Sequence, residues 1–303
     1  MHSFWRGILL ASGFICGDGQ HLRRSLYILY ALPYLRSIDR FVKARGNSML
    51  AREISQFPHL LEAIYRPYVN SRWRCPQRLR AIEMHYRILG NPGFGILDIA
   101  WNEYFDLLES QLEGHRVRIV IDRPPWLRLE GQLALSIFLD TDRIYSLAFS
   151  LGGSEEQPSF IVGGVQGSGA PEASARIKQL TKMLHGMRPR DYLLDIFKML
   201  ATELGVRSIY AVNNRYHRTA HRFSRGYKHA DYDRIWEEHG GSYRGGGFYA
   251  LSSSSTRRGL AEISAKKRSA YRKRYAHLDT VAARVRSAVS SGEKTVFVHE
   301  VYA

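Results

Sequence analysis

The chain has 303 residues, 45% of them apolar and 12% aromatic, and its 44 Lys and Arg against 28 Asp and Glu leave a formal charge of +16. That apolar content excludes a disordered chain and is enough for a sizeable core in one large domain or two ordinary ones. The cationic surplus favours anionic partners, such as nucleic acid, anionic lipid headgroups or phosphate-bearing small molecules, without choosing among them.

The N-terminal stretch MHSFWRGILLASGFICGDGQ holds a short apolar run broken by Ser and Gly, with one Arg ahead of it and no clear cleavage site behind. It matches neither a secretion signal nor a bilayer-spanning helix, which needs about 20 apolar residues. Cys16 and Cys75 are the only cysteines, too few for a disulfide framework or a thiolate metal site. Together these features predict a cytoplasmic protein, peripheral to the inner membrane where it touches a membrane at all. Segments 23–46, interrupted at Pro33, then 50–68 and 76–89 carry apolar residues at helical spacing. They define a helical region over 1–115.

The texture changes after it. Segments 115–124, 129–139, 143–153 and 159–167 are short, rich in β-branched and aromatic residues, and separated by turn residues, which predicts an antiparallel meander. Helices over 172–185 and 189–205 follow, then a strand over 206–214, a helix over 232–241 and a strand over 245–252. One long basic helix over 260–292 and a terminal strand over 293–303 complete the chain. The fold class is α+β, with the helical region followed over 116–303 by a mixed, mostly antiparallel sheet flanked by helices.

The segment HGMRPRD, at 185–191, opens the helix of 189–205. Pro189 suits its first turn, Asp191 the positive end of its dipole, and Gly205 its stop. Free backbone N–H groups there, flanked by Arg188 and Arg190, can take an anion such as phosphate. The plainer alternative is that both arginines snorkel over the helix end and bond to carbonyls or carboxylates. Asn213 and Asn214 end the next strand beside this loop, where open α/β sheets gather ligands. His217 and His185 are suited to proton transfer near neutral pH. His217 and His221 are four residues apart, but no third ligand is in view and no metal is expected. From Arg257 to Arg274 the chain has eight Lys or Arg against one Glu. Lys266, Lys267, Arg268, Tyr271, Arg272 and Arg274 could grip RNA, lie on an anionic membrane surface, or form a solvated helix face. Glu130, in LEGQLAL, reads as an exposed acid on an ordinary strand.

Two resemblances add to this reading. Antiparallel strands, a strand ending in VGGVQGSG, a helix entered through a cationic loop, a strand ending in NN, and then DYDRIWEEHGGSYRGGGFYAL resemble the acyl-CoA N-acyltransferase (acetyltransferase-like) fold. In that fold a Gly-rich loop cradles the CoA pyrophosphate. Counting back from Leu193, its glycine positions hold Gly186, Arg188 and Arg190 here, so arginine side chains replace part of the amide cradle. At the family level, PYVNSRWRCPQRLRAIEMHY, FIVGGVQG, TKMLHGMRPRDYLLD, YAVNNRYHR, GGGFYAL and AKKRSAYRKRY are similar to the VirK/YbjX family, bacterial proteins linked to virulence and to envelope changes that resist cationic antimicrobial peptides. The fold resemblance implies an acyl- or aminoacyl-transferase-like protein, and the family resemblance, which carries context more than mechanism, implies an envelope component or a small amine as what it acts on. An acyl-CoA or other phosphate-bearing donor would be held by Gly186, Arg188, Arg190, Asp191 and Gln166, with Asn213 or Asn214 orienting the acyl group. The alternative is a non-catalytic RNA-binding or assembly factor that uses the basic helix.

Overall fold

The computed structural model describes residues 3–15, 21–44, 46–220, 230–254 and 257–298, and every statement below concerns these. Helices come first: α1 (Ser3–Ile15), α2 (His21–Ala31), α3 (Leu35–Val42), α4 (Ser48–Gln56) and α5 (Cys75–Leu89). Pro33 cannot donate a backbone hydrogen bond, and a 3-10 turn over Leu32–Tyr34 separates α2 from α3 there. Asn47 caps α4, its Oδ1 accepting the Leu50 N–H at 2.9 Å.

Nine strands form one sheet: β1 (Glu103–Leu112), β2 (His115–Asp122), β3 (Leu133–Leu139), β4 (Asp142–Gly153), β5 (Pro158–Gly167), β6 (Ser208–Val212), β7 (Ser242–Tyr243), β8 (Phe248–Ser252) and β9 (Val296–Val298). Their order is β7-β8-β6-β5-β4-β3-β2-β1-β9. The chain is therefore α+β. The sheet begins at Glu103, inside the segment expected to be helical: Glu103, Asp106 and Glu109 recur every third residue and mask the strand's alternation. β9, from the far end of the chain, pairs antiparallel with the start of β1 and forms the edge of the sheet there.

Every pairing is antiparallel except β5 with β6, which run parallel from Ser159↔Ser208 to Val162↔Ala211. Beyond that point β5 continues to Gly167 while β6 ends at Val212, so the two strands part. The crossover between them is made by α6 (Ala173–Met183) and α7 (Pro189–Glu203). After β6 come α8 (Tyr232–Glu238) and, beyond β8, the 27-residue α9 (Ala265–Ser291).

α7 is seated on one face of the sheet by Phe197, whose ring meets Phe149 of β4 and Phe160 of β5 at centroid distances of 5.0 and 4.9 Å. On the opposite face, Ser150 meets the Tyr68 hydroxyl at 2.6 Å. Buried polar groups tie the helical region to that face. Arg123 donates to Glu53 at 2.5 Å, to the Tyr86 hydroxyl at 3.0 Å and to the Gln132 carbonyl at 3.1 Å. The helical region and the sheet share one apolar core, from Ile8 of α1 to Val285 of α9.

Candidate functional site

The start of α7 is built around two consecutive left-handed residues, His185 (φ 54°) and Gly186 (φ 79°). A Cβ on Gly186 would stand 2.8 Å from the Arg274 guanidinium, which reaches in from α9. Arg274 Nε donates to the His185 carbonyl at 2.7 Å. Glycine is favoured here by the left-handed backbone. The HGMRPRD loop and the basic helix, separate in sequence, thus meet.

Between them lies a cleft of about 840 Å³, closed by the end of α8 and by the turn after β8. One wall is cationic and aromatic. Arg274 lies over the Tyr271 ring at 4.6 Å and Arg257 over the Tyr275 ring at 5.2 Å, while the Tyr275 hydroxyl donates to the Arg258 carbonyl. The facing wall is acidic, with Asp191 and Asp195 from α7 and Glu237 and Glu238 from α8. Arg188 stands at this wall, 63% exposed and 3.6 Å from Glu238. Arg190 is held between Asp191 at 2.7 Å and Glu238 at 3.2 Å, so it ties α7 to α8.

The acidic wall also holds a pair that inspection of the sequence missed. His239 Nε2 lies 3.4 Å from Asp191 Oδ1, and the His239 carbonyl accepts from Lys198 Nζ at 2.9 Å. Burial pushes the Asp191 carboxyl up, but hydrogen bonds from His239 and Arg190 outweigh it and hold the group below the usual carboxylate range. Burial raises the neighbouring Asp195 and lowers the Lys198 ammonium, against the pull of Asp195. A signal existed: Asp191, Asp195 and Lys198 recur at i, i+4 and i+7, a polar stripe opposite the apolar one. His239 gave none: it falls inside the helix expected over 232–241, whereas the helix ends at Glu238 and turns His239 toward α7.

Gln166 and His217 come together elsewhere. Strand pairing sets Gln166 beside Ser146, on the face opposite Phe149 and α7. There Gln166 Nε2 donates to both oxygens of Glu130 at 2.9 Å, with His217 Nε2 at 3.8 Å and Arg218 at 3.6 Å from the same carboxylate. Glu130 is not an exposed acid on a strand: it is 1% exposed, in the turn ahead of β3. Gly163 and Gly164 make its room, because a Cβ at those positions would fall 1.8 Å from the Glu130 carbonyl oxygen and 2.4 Å from its Oε2. Burial lowers the Arg218 guanidinium, with Glu130 opposing.

α8 connects the two regions through the gap between β5 and β6. Its Tyr232 hydroxyl donates to the Val165 carbonyl at 3.3 Å and its Trp236 indole to the Val212 carbonyl at 2.8 Å. The His217 ring packs on Tyr232 with centroids 4.8 Å apart. Burial, and then Glu130, raises the Tyr232 hydroxyl. Asn213 and Asn214 build this junction. Asn213 Oδ1 accepts from the Tyr216 N–H, and Asn214 Oδ1 accepts from the Tyr232 N–H while its Nδ2 donates to Asp231. His185, expected to share a role with His217, lies instead on the cleft side, its ring 6.1 Å from His277 of α9.

Of the basic helix, Tyr271 and Arg274 line the cleft and Arg268 donates to the Ile263 carbonyl. Lys266, Lys267 and Arg272 are exposed. His221 lies outside the described residues. Among the described residues no group of three or more His, Cys, Asp or Glu is arranged to hold a metal ion. None of the described helices is long and apolar enough to cross a membrane.

The family described as "Protein of unknown function (DUF535)" matches residues 19–287. The chain belongs to this family. The match takes in both the cleft and the Glu130 cluster and stops short of β9. Among the family's similar chains is the "Uncharacterized protein YbjX" of Escherichia coli (strain K12), 28% identical over 243 residues, or 78% of this chain and 72% of the relative. An uncharacterized protein of Haemophilus influenzae is 28% identical over 225 residues, 72% of this chain and 74% of its own length. A second from that organism is 32% identical over 156 residues, 51% of each chain. The VirK/YbjX resemblance carried by the quoted segments is thereby established. No solved structure matches the chain.

Proposed function

We propose that the chain is an acyl- or aminoacyl-transferase-like protein that holds a phosphate-bearing donor in the cleft between α7, α8 and α9. The observation that carries this reading is the convergence of Gly186, Arg188 and Arg274 at the start of α7, on a cleft large enough for a nucleotide-sized ligand. The parallel β5–β6 pair, parted beyond Val162 and joined by α6 and α7, supports the acetyltransferase-like reading of the fold. With Tyr232 and Trp236 filling that gap, a bound donor would lie on the α7–α9 side rather than between the strands.

In this reading Arg188 and Arg274 hold a donor phosphate, and the donor brings an activated carbonyl. His239, oriented by Asp191, takes the proton that an acceptor amine loses as its nitrogen bonds to that carbonyl and the donor's thiol or hydroxyl leaves. The acidic wall suits an amine acceptor, because Asp195 and Glu237 attract its cationic form, which gives up one proton to water before the neutral amine attacks and the second to His239 as it does. Thermal unfolding against CoA, acyl-CoA, aminoacyl-tRNA and short RNA tests this. A ligand at a hundred times its Kd stabilises by about 2.7 kcal/mol, a readily visible shift. The shift should appear with the thioester or the aminoacyl-tRNA and vanish in Arg188→Ala/Arg274→Ala. No shift with any donor, or a full shift in that variant, would sink the assignment.

The exposed cations of the helix that do not line the cleft, Lys266, Lys267 and Arg272, favour a second reading as an RNA-binding factor. It predicts RNA affinity that falls steeply with salt and is lost when those three residues are neutralised, with the cleft arginines left intact.

A further inference from the structure

α1 and α2 each bury apolar residues against the protein and expose other large ones. On α1, Ile8 and Ala11 are fully buried, while Trp5, Leu9 and Leu10 are 39, 42 and 40% exposed. On α2, Ala31 is fully buried, while Leu26, Leu29 and Tyr30 are 60, 59 and 43% exposed, and Leu32 follows at 41%. α1 packs against α2 and α3, so the helices that carry these side chains are neighbours. Elsewhere among the described residues exposed large apolar side chains are scattered, apart from the short edge strand β9. Large apolar side chains left exposed together on neighbouring helices mark a surface that docks.

We infer that this α1–α2 face docks on an anionic lipid surface, with both helices lying in the plane of the headgroups. The length of α1, 13 residues, fits a helix lying flat and not one crossing a bilayer, which takes about 20. Trp5 and Tyr30 are the amphipathic ring types that settle at a membrane interface. Charge selects an anionic surface. Following Leu32 along the chain, exposed Arg36, Arg40 and Lys43 continue on α3 at spacings of three and four residues, and the whole chain carries +16. Arg40 and Lys43 are shared with Glu83 at 3.7 Å and Asp39 at 2.7 Å, whereas Arg36 makes no ion pair among the described residues. Inserted leucines supply buried apolar area and the cations attraction to anionic headgroups, the two contributions that set the strength of interfacial binding. This inference does not depend on the transferase reading.

The test is co-sedimentation of the full chain with vesicles of phosphatidylglycerol and phosphatidylethanolamine, and with vesicles of phosphatidylcholine alone, at about 0.1 M and about 0.5 M salt. The chain should bind the anionic vesicles, more weakly at high salt, and bind phosphatidylcholine poorly. Leu26→Glu/Leu29→Glu should lower anionic-vesicle binding at least tenfold with an unchanged melting temperature, and Arg36→Glu should lower it several-fold. Lys266→Glu/Lys267→Glu on α9 should leave it within about twofold. Wild-type protein that stays in the supernatant would overturn the inference. So would leucine variants that sediment like wild type, or binding abolished by the α9 variant alone. A dimer by light scattering that Leu26→Glu/Leu29→Glu converts to monomer, with vesicle binding intact, would give the face to a second copy instead.

Discussion

His85 offers the sharpest test of how the helical region is joined to the sheet. Its ring is 1% exposed, and its Nδ1 accepts the Leu151 N–H of β4 at 3.0 Å. Burial, with the Arg123 guanidinium adding to it, pushes the imidazole down to about 3. Protonation would cost the Leu151 hydrogen bond and set a second buried cation beside Arg123. The unfolded chain, with an imidazole near 6.5, takes up this proton first as the pH falls. The stability supplied by the neutral ring is therefore fully present above about pH 6.5 and is lost progressively between there and about pH 3. At pH 5, one and a half pH units below the unfolded value, the loss is about 2 kcal/mol. Urea unfolding of wild type and His85→Gln at pH 7 and pH 5 measures it, since glutamine can keep an acceptor for Leu151 and does not titrate. The variant should be the less stable by about 1–2 kcal/mol at pH 7, and that gap should close or invert at pH 5. A gap of equal size at both pH values would refute a buried neutral ring.

Two further substitutions probe the buried polar groups. Gly163→Ala sets a Cβ against the Glu130 backbone and should cost about 3 kcal/mol in urea unfolding. Gly95→Ala, where a Cβ meets nothing within 4 Å, should stay within about 0.5 kcal/mol, and equal effects would show that Glu130 is not wedged as described. Arg123→Met leaves the Glu53 carboxylate buried without its 2.5 Å partner and should cost about 3–5 kcal/mol. Adding Glu53→Gln should recover part of that loss, and a double variant no better than the single would place the cost elsewhere.

The start of α7 could be read from sequence because its signals are local: Pro189 in the first turn, Asp191 beside it, and Gly205 past the end, in the left-handed conformation (φ 71°). The β2–β5 meander and α9 were legible for the same reason, since periodicity and turn residues lie within each segment. β1 was not, because acids at every third position imitate a helix. The fate of Glu130 was hidden for a different reason. Whether an acid in LEGQ is exposed depends on two glycines of β5 that reach it only through the fold. Arg190 is similar, since its partner Glu238 arrives from α8, and sequence alone left its anion-binding and carboxylate-pairing roles open. In VGGVQG, Gly163 and Gly164 lie within β5 and clear space for a neighbouring carboxylate.

α8 links the two regions, and that link makes the cleft geometry testable without any ligand. One end of the helix is pinned in the β5–β6 gap by Tyr232 and Trp236, and its other end brings His239 to Asp191. If the Trp236 hydrogen bond to Val212 sets the seat of α8, then Trp236→Phe should do more than destabilise. It leaves a buried carbonyl without its donor and opens a small cavity, together costing about 2–3 kcal/mol. It should also let the C-terminal end of α8 drift from α7. A double-mutant cycle of Asp191→Asn and His239→Gln reads that drift directly. In wild type the pair should couple by about 0.5–1 kcal/mol, as residues in hydrogen-bond contact do. In the Trp236→Phe background the coupling should fall to about zero. Coupling that persists there would mean that α8 is held from the cleft side, by Arg190 bridging Asp191 and Glu238, and that the gap between the strands is filled without controlling the cleft.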